Sequence, residues 1–276
     1  MKHIFKAKTN EGHTIKILTE LLLHIVKTAC FTITPQGLTL AMMDTQQKIL
    51  VKVELHQKNF SIYKFRSEQK SIQVGLNVAH LHKMLRTIKK KDSILLFIRE
   101  SEPTQLGIRI IPRENNRITN SYIKIQNIQT LEIALPKFDQ TIRPIIVPSN
   151  DYQKLCKDMN NISRVIKISS QGFYIKFSCN AANIYSRDVI FGEIEEADSE
   201  SSDDETVEQK SYEEDFDTDQ LLRVIKISGL SNKMYIYTQL NSPLLLKSNI
   251  GSLGAIHIYI KNKKQIEYDE LQQTTL

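Results

Sequence analysis

Apolar and polar positions alternate twice around a turn between Ala29 and Asp44: Phe31 and Ile33 against Thr32 and Thr34, then Leu38 and Leu40 against Thr39. A period of two predicts a pair of half-buried strands. Pro35-Gln36-Gly37 between them fits a type II turn, with Pro presetting φ and Gly accepting a positive one. The same hairpin pattern recurs over residues 165–177, where Gln171-Gly172 stands 135 residues after Gln36-Gly37. In a chain of 276 residues that is close to half the length, which predicts two copies of one unit.

Four stretches carry the helical period instead. Over 14–28, Ile15, Leu18, Leu22, Ile25 and Val26 share one face, with Lys16, Glu20 and Lys27 opposite. Over 78–90, Leu81, Met84, Leu85 and Ile88 point inward and Lys83, Arg86 and Lys90 outward. A third helix, capped by Ser149 or Asn150, places Tyr152, Leu155 and Met159 inward and Lys154, Lys157 and Asn161 outward. The fourth, over 218–228, sets Leu221, Val224 and Ile225 against Arg223 and Lys226. Strands are predicted at 3–8, 48–55, 60–65, 71–76, 93–98, 107–111, 121–125, 234–240, 243–248 and 255–260. Helices starting near 14, 78, 150 and 218, each followed by strand, make the chain a fourfold quasi-repeat. On one side of a curved sheet, their basic residues would form a continuous positive face.

Three prolines between residues 128 and 148, without a sustained period, mark a change of character, and 127–139 reads as an extended connector. The fold class expected is therefore α+β, with an N-terminal domain at 1–126 and a C-terminal domain at 140–276. Each is a duplicated sheet with two helices. Fourteen acids and one lysine lie between Glu193 and Asp219, a local net of −13 in a chain of net +6, so the remainder carries +19. The acidic run reads as a flexible loop over 193–217. The basic remainder points to an anionic polymer as partner.

At 41% hydrophobic residues the chain can bury a proper core, while its longest apolar runs, as over 94–98, fall far short of the roughly 20 residues that span a bilayer. The first residues are charged and lack an apolar signal core, so a soluble, intracellular protein with no membrane partner is expected. Cys30, Cys156 and Cys179, widely spaced and odd in number, read as buried free thiols. No enzyme is expected: there is no phosphate loop, no Gly-x-Ser-x-Gly and no His-Glu-x-x-His. His80 and His82 lie two apart on a helix and point apart, and Asp203-Asp204-Glu205 reads as solvated charge, so no metal or cofactor is expected. Ser201 and Ser202 each precede an acid by three residues, a pattern open to acid-directed phosphorylation.

Several pairs then occur in a telling order: Ala29-Cys30, Gly37-Leu38, Met43-Asp44, Leu50-Val51 with Leu55, Val74-Gly75-Leu76-Asn77, Cys156-Lys157-Asp158, and Pro243 sixteen residues before Tyr259. In these residues, and in its duplicated architecture, the chain resembles the sliding clamps of eukaryotic and archaeal replication, the proliferating cell nuclear antigen family. The resemblance runs from Ile4 to about Ile260.

It implies a DNA-clamp (processivity) fold and a homotrimeric ring on duplex DNA, opened by a clamp loader. The ring would tether polymerase and other replication or repair proteins, in the nucleus or at a cytoplasmic viral replication site. Lys16, Lys83, Arg86, Lys154, Lys157 and Lys226 match basic positions facing DNA; Lys27, Lys90 and Arg223 join them from the helical wheels. Partner peptides would dock in a pocket of Met43, Leu50, Ile133, Leu135, Pro243, Tyr259 and Ile260, with Gln47 at its edge. Subunits would pair through Ser121, Tyr122 and Ile123 on one edge strand and Asn183 and Tyr185 on another.

The chain departs from the family in its basic charge, its long acidic run, and Lys261-Asn262-Lys263-Lys264 where a proline-containing tail is usual. A monomer or open assembly holding DNA by charge, and a non-encircling scaffold or transcription factor, stay open as alternatives.

Overall fold

Each of the four helical stretches forms a helix, and each stops where the local chemistry changes. A computed structural model describes residues 2–114, 117–128, 133–139, 141–182, 184–193 and 211–274. The first half runs β1 (His3–Thr9), α1 (Gly12–Ile25), β2 (Thr28–Thr34), β3 (Gly37–Met43), β4 (Ile49–His56), β5 (Ile62–Phe65), β6 (Ile72–Asn77), α2 (Val78–Leu85), β7 (Ser93–Arg99), β8 (Glu102–Ile111) and β9 (Thr119–Lys124). The second half runs β10 (Ile145–Pro148), α3 (Ser149–Ile162), β11 (Val165–Gln171), β12 (Tyr174–Ala181), β13 (Tyr185–Gly192), β14 (Tyr212–Asp217) and α4 (Thr218–Arg223), then β15 (Lys233–Tyr237), β16 (Leu244–Ile250), β17 (Gly254–Ile260) and α5 (Lys263–Thr274).

Helix α1 ends three residues earlier than its periodicity predicts, because Val26 is extended and Thr28 already opens β2. Helix α2 is capped by Asn77, whose side chain accepts from the His80 N–H at 3.0 Å. It stops at Leu85 rather than Lys90. The Lys16 ammonium donates to the carbonyls of Arg86 (2.9 Å) and Ile88 (3.4 Å) just past that end. The cap of α3 is Pro148, before both of the expected positions, Ser149 and Asn150. After Arg223 the fourth helix tightens into a 3₁₀ segment, Ile225–Gly229. A Cβ on Gly229 would stand 2.8 Å from the Ile17 side chain, so glycine lets this segment press against α1.

The strands form three antiparallel sheets. A five-stranded sheet has the order β5-β1-β7-β8-β9, and a four-stranded one β13-β12-β11-β14. The eight-stranded sheet, β10-β15-β16-β17-β4-β3-β2-β6, spans both halves through β4 and β17, with Leu50 opposite Tyr259. The helices make one layer, α1 packing on α2, α3 on α4, and both α1 and α3 on the 3₁₀ segment. Between layer and sheets lies a continuous core that includes Phe5, Tyr152, Phe177 and Phe216, all fully buried. Each such side chain contributes about 2–3 kcal/mol of transfer free energy.

The structure corrects and extends the sequence expectations. In the first hairpin the turn residues are Pro35 and Gln36, since Thr34 pairs with Gly37. A type II turn needs positive φ at Gln36, whereas the positive φ (152°) falls on Gly37. In the second hairpin Gln171 pairs with Tyr174, so Gly172 (φ 57°) is itself a turn residue. The repeat holds for the strands, not for the turn. The expected loop over 193–217 does not extend to its end: Tyr212–Asp217 is β14, paired with β11, and it buries Tyr212, Glu214 and Phe216 on alternate positions. Most of the rest of that run, 194–210 with Ser201, Ser202 and Asp203-Asp204-Glu205, lies outside the described residues. Finally, Ile145–Pro148 is a strand, and a fifth helix follows Asn262.

Candidate nucleic-acid face and partner pocket

The helix layer carries the basic residues, but not all are available. Lys27, Lys83, Arg86, Lys90, Lys154 and Lys157 are exposed. Lys154 shares only an exposed ion pair with Asp151 at 3.5 Å, which holds it weakly. Lys16 is half-buried and occupied by the carbonyls beyond α2. Lys226 lies 3.4 Å from Glu20, which also faces His82 at 3.6 Å. Arg223 turns inward. Its guanidinium donates to the carbonyls of His24 and Ile25 (both 3.0 Å) and to the buried Asp44 carboxylate at 2.8 Å. Two histidines lie among these charges. Burial, then the charges of Lys16 and Lys90, hold His13 below the usual imidazole range. Burial, then Lys226, does the same to His24, with Glu20 opposing in both cases.

On the opposite face of the eight-stranded sheet, five directly opposed residues make an apolar row: Met43, Leu50, Tyr259, Leu245 and Tyr237 on β3, β4, β17, β16 and β15. Leu50, Leu245 and Tyr259 are buried, with Ile133, Leu135 and Phe138 of the connector packed over them. The Phe138 ring sits 6.0 Å from that of Tyr259 and 6.5 Å from that of Tyr237. The end of the connector is pinned: the Asp139 N–H donates to Gln239 at 2.9 Å, and Asp139 accepts from the Thr141 N–H and hydroxyl. Those two bonds hold its carboxyl below the usual range.

The row gathers Met43, Leu50, Ile133, Leu135 and Tyr259. It does not include Ile260, which is fully buried in the main core. Neighbours along a strand point to opposite faces, so Tyr259 and Ile260 cannot both line one surface. Gln47 (φ 56°) is exposed beside Gln46, Lys48, Lys261 and Ile266. Pro243 lines a neighbouring groove with Pro136, Asn241 and Tyr268. Leu245, Tyr237 and Phe138 were missed, although Leu245 follows Pro243 by the two residues that strand alternation requires.

Helix α5 closes that groove. The Asn262 side chain accepts from the Gln265 N–H at 2.8 Å, and the Gln265 side chain accepts from the Asn262 N–H at 3.1 Å, a reciprocal capping box. Ile266 is buried, and Lys261–Asp269 (2.5 Å) and Lys264–Glu214 (3.1 Å) fasten the helix. Replacing Asn262 with alanine is expected to cost about 1 kcal/mol. The loss should appear as faster amide exchange confined to 263–274.

Strands β9 and β13 are free edges of their sheets. Tyr122 is 40% exposed and Tyr185 53%, while Ser121 is half-buried and Ile123 points into its own core. Asn183 lies outside the described residues.

Family models for proliferating cell nuclear antigen match the chain almost throughout, the N-terminal domain over residues 4–132 and the C-terminal domain over 133–263. The chain belongs to the proliferating cell nuclear antigen family. It is a DNA polymerase processivity factor of the sliding-clamp class and not an enzyme; a scaffold without that role is not favoured. Among similar proteins, a probable DNA polymerase sliding clamp of Paramecium bursaria Chlorella virus 1 is 28% identical over 261 residues, 93% of this chain and 96% of that one. The proliferating cell nuclear antigen of Chaetomium thermophilum is 25% identical over 267 residues, 94% and 98% of the two chains. That of Dictyostelium discoideum is 25% identical over 175 residues, 63% and 66%.

Proposed function

We propose that three copies of the clamp close into a ring, β9 of one protomer pairing with β13 of the next, with the helix layer facing duplex DNA. The observation that carries this is the apolar dress of both free edges. Ile118 (54% exposed) and Tyr122 flank one, and Ile184 (82%), Tyr185 and Ile190 (40%) the other. Exposed open edges invite pairing with another chain, and a heterologous contact that closes makes a ring. Each protomer would comprise domains 1–126 and 140–276, with the connector 127–139 between them.

Lys27, Lys83, Arg86, Lys90, Lys154 and Lys157 would attract phosphates without reading bases, so the ring slides. Lys226, shared with Glu20, is a secondary contact, and Lys16 and Arg223 keep structural roles. Polymerase and other partners would insert a peptide against the apolar row by displacing the connector. Tethering then acts through effective concentration, since a polymerase that lets go stays beside its template. A closed ring needs a loader to open it, and the site of action would be the nucleus or a viral replication site.

Light scattering on a sizing column tests the ring. Three chains of 31.9 kDa give about 96 kDa, and Tyr122→Asp with Tyr185→Asp should return a folded species of one chain's mass. A parent protein of one chain's mass at working concentration overturns the ring.

A further inference from the structure

Two residues along each strand from the apolar row, on the same face, lies a second row of different chemistry. Lys52, His257 and Lys247 stand directly opposite one another on β4, β17 and β16, between Ala41 on β3 and Tyr235 on β15. Two residues of strand separate the rows by about 6.6 Å, within reach of one bound segment. On the other side of the apolar row, the Lys261 N–H bonds the Lys48 carbonyl at 3.0 Å, bringing two more lysines to its border. Acids offset only part of this charge. Glu54 pairs with Lys52 at 2.9 Å and Asp269 with Lys261 at 2.5 Å, whereas Lys247 and Lys48 have no ion pair among the described residues.

We infer that the segment accepted by the apolar row carries acidic residues beside its apolar anchors, with Lys52 and Lys247 receiving carboxylates on one side and Lys48 on the other. This rests on reading the row as the partner pocket and adds the chemical class of partner it selects. Burial, then Lys247 and Lys52, with Glu54 opposing, pushes the His257 imidazole down to about 4. Burial and the two lysines together favour the neutral ring. An anion placed there would find Lys247 and Lys48, which have no ion pair among the described residues. Nucleic acid fits this surface less well, because an apolar strip divides the lysines and Glu54 and Asp269 stand among them. Charge of this kind at the border of an apolar site chiefly sets specificity and encounter rate.

The test uses the full chain and two short fluorescent peptides with the same leucine and phenylalanine anchors, one flanked by aspartates and its twin by asparagines. At low salt the aspartate peptide should bind about tenfold tighter than its twin, and added salt should narrow the gap. Lys52→Glu with Lys247→Glu should cut the preference to what Lys48 alone supports while leaving the twin's affinity within about twofold. Equal affinities for the two peptides, or a preference undiminished by the double substitution, overturn the inference. A loss of duplex DNA binding in that variant as large as in Lys83→Ala with Lys154→Ala also overturns it, assigning the row to nucleic acid. Tyr237→Ala addresses the pocket separately: if neither peptide weakens, the pocket itself is misplaced, whatever the charge comparison shows.

Discussion

Lys83→Ala, Arg86→Ala, Lys154→Ala and Lys157→Ala in one chain are expected to weaken duplex binding by about three orders of magnitude at physiological salt. Each phosphate contact releases roughly 0.9 of a counterion, so four lost contacts flatten the slope of log affinity against log salt by about 3.6 for each protomer engaged with the duplex. All four side chains are exposed, and the Lys154–Asp151 ion pair is solvated, so folding should be unaffected. Stimulation of polymerase processivity should fall with binding, because the clamp would hold its template less firmly. The measurement is fluorescence anisotropy on a labelled duplex across a salt series, beside the melting temperature of each protein. An unchanged salt slope with unchanged processivity would remove the DNA-facing role from these helices. Lys16→Ala should behave differently: its ammonium is occupied by the carbonyls beyond α2. Its loss should register in stability more than in salt dependence.

Wherever a period ran undisturbed, the fold was legible in the residues. Helix α1 shows Ile15, Leu18, Leu22 and Ile25 on one stripe, and all four are buried. Strand β14 was harder, since Tyr212-Glu-Glu-Asp-Phe216 alternates as a strand should, yet its acids make it look like the segment before it. Pairing with β11 and burial of Tyr212 and Phe216 outweigh that composition. The density of prolines hid β10 in the same way. Its Pro148 is tolerated because β10 is an edge strand. Helix α5 carried an N-terminal signal, Asn262 three residues before Gln265, but it has almost no amphipathic stripe and buries chiefly Ile266. Without a stripe there is no period to read.

The site divided along similar lines. Met43, Leu50 and Tyr259 came from resemblance, and the cross-strand register explains why they meet. Leu245 and Tyr237 follow once that register is known, since each is the next residue along the same row. Pairing between strands of different halves cannot be deduced from alternation within one strand. Arg223 failed for a related reason. A helical wheel places it outside the stripe and so toward solvent, but the wheel does not know that α1 ends beside it, offering the free carbonyls of His24 and Ile25.

That inward arginine sets the second large effect, since Arg223→Ala is expected to destabilise the clamp by about 3–5 kcal/mol. The Asp44 side chain is fully buried; one oxygen accepts from the N–H groups of Lys48 (2.8 Å) and Ile49 (2.9 Å), and the other from the guanidinium. Removing the cation leaves that carboxylate desolvated and also strips two helix-end carbonyls of their donor. For a chain of this size the melting temperature should fall by roughly 10 °C. Arg223→Lys keeps the charge but offers no planar fork, so it should recover only part of the loss. Combining Arg223→Ala with Asp44→Asn removes the buried charge as well. The double variant should then be more stable than the sum of the single losses by about 1–3 kcal/mol. A loss below about 1 kcal/mol for Arg223→Ala would show the pair to be incidental. The expected cost is large because of where the contact sits: β4 and β17 join the two halves across the sheet, and Arg223 joins them across the helix layer. Asp44 opens the tight turn that leads from Met43 to Leu50, so the same arginine steadies one end of the apolar row. Partner affinity should therefore decline together with stability in Arg223→Ala, and Arg223→Lys should restore both in the same proportion.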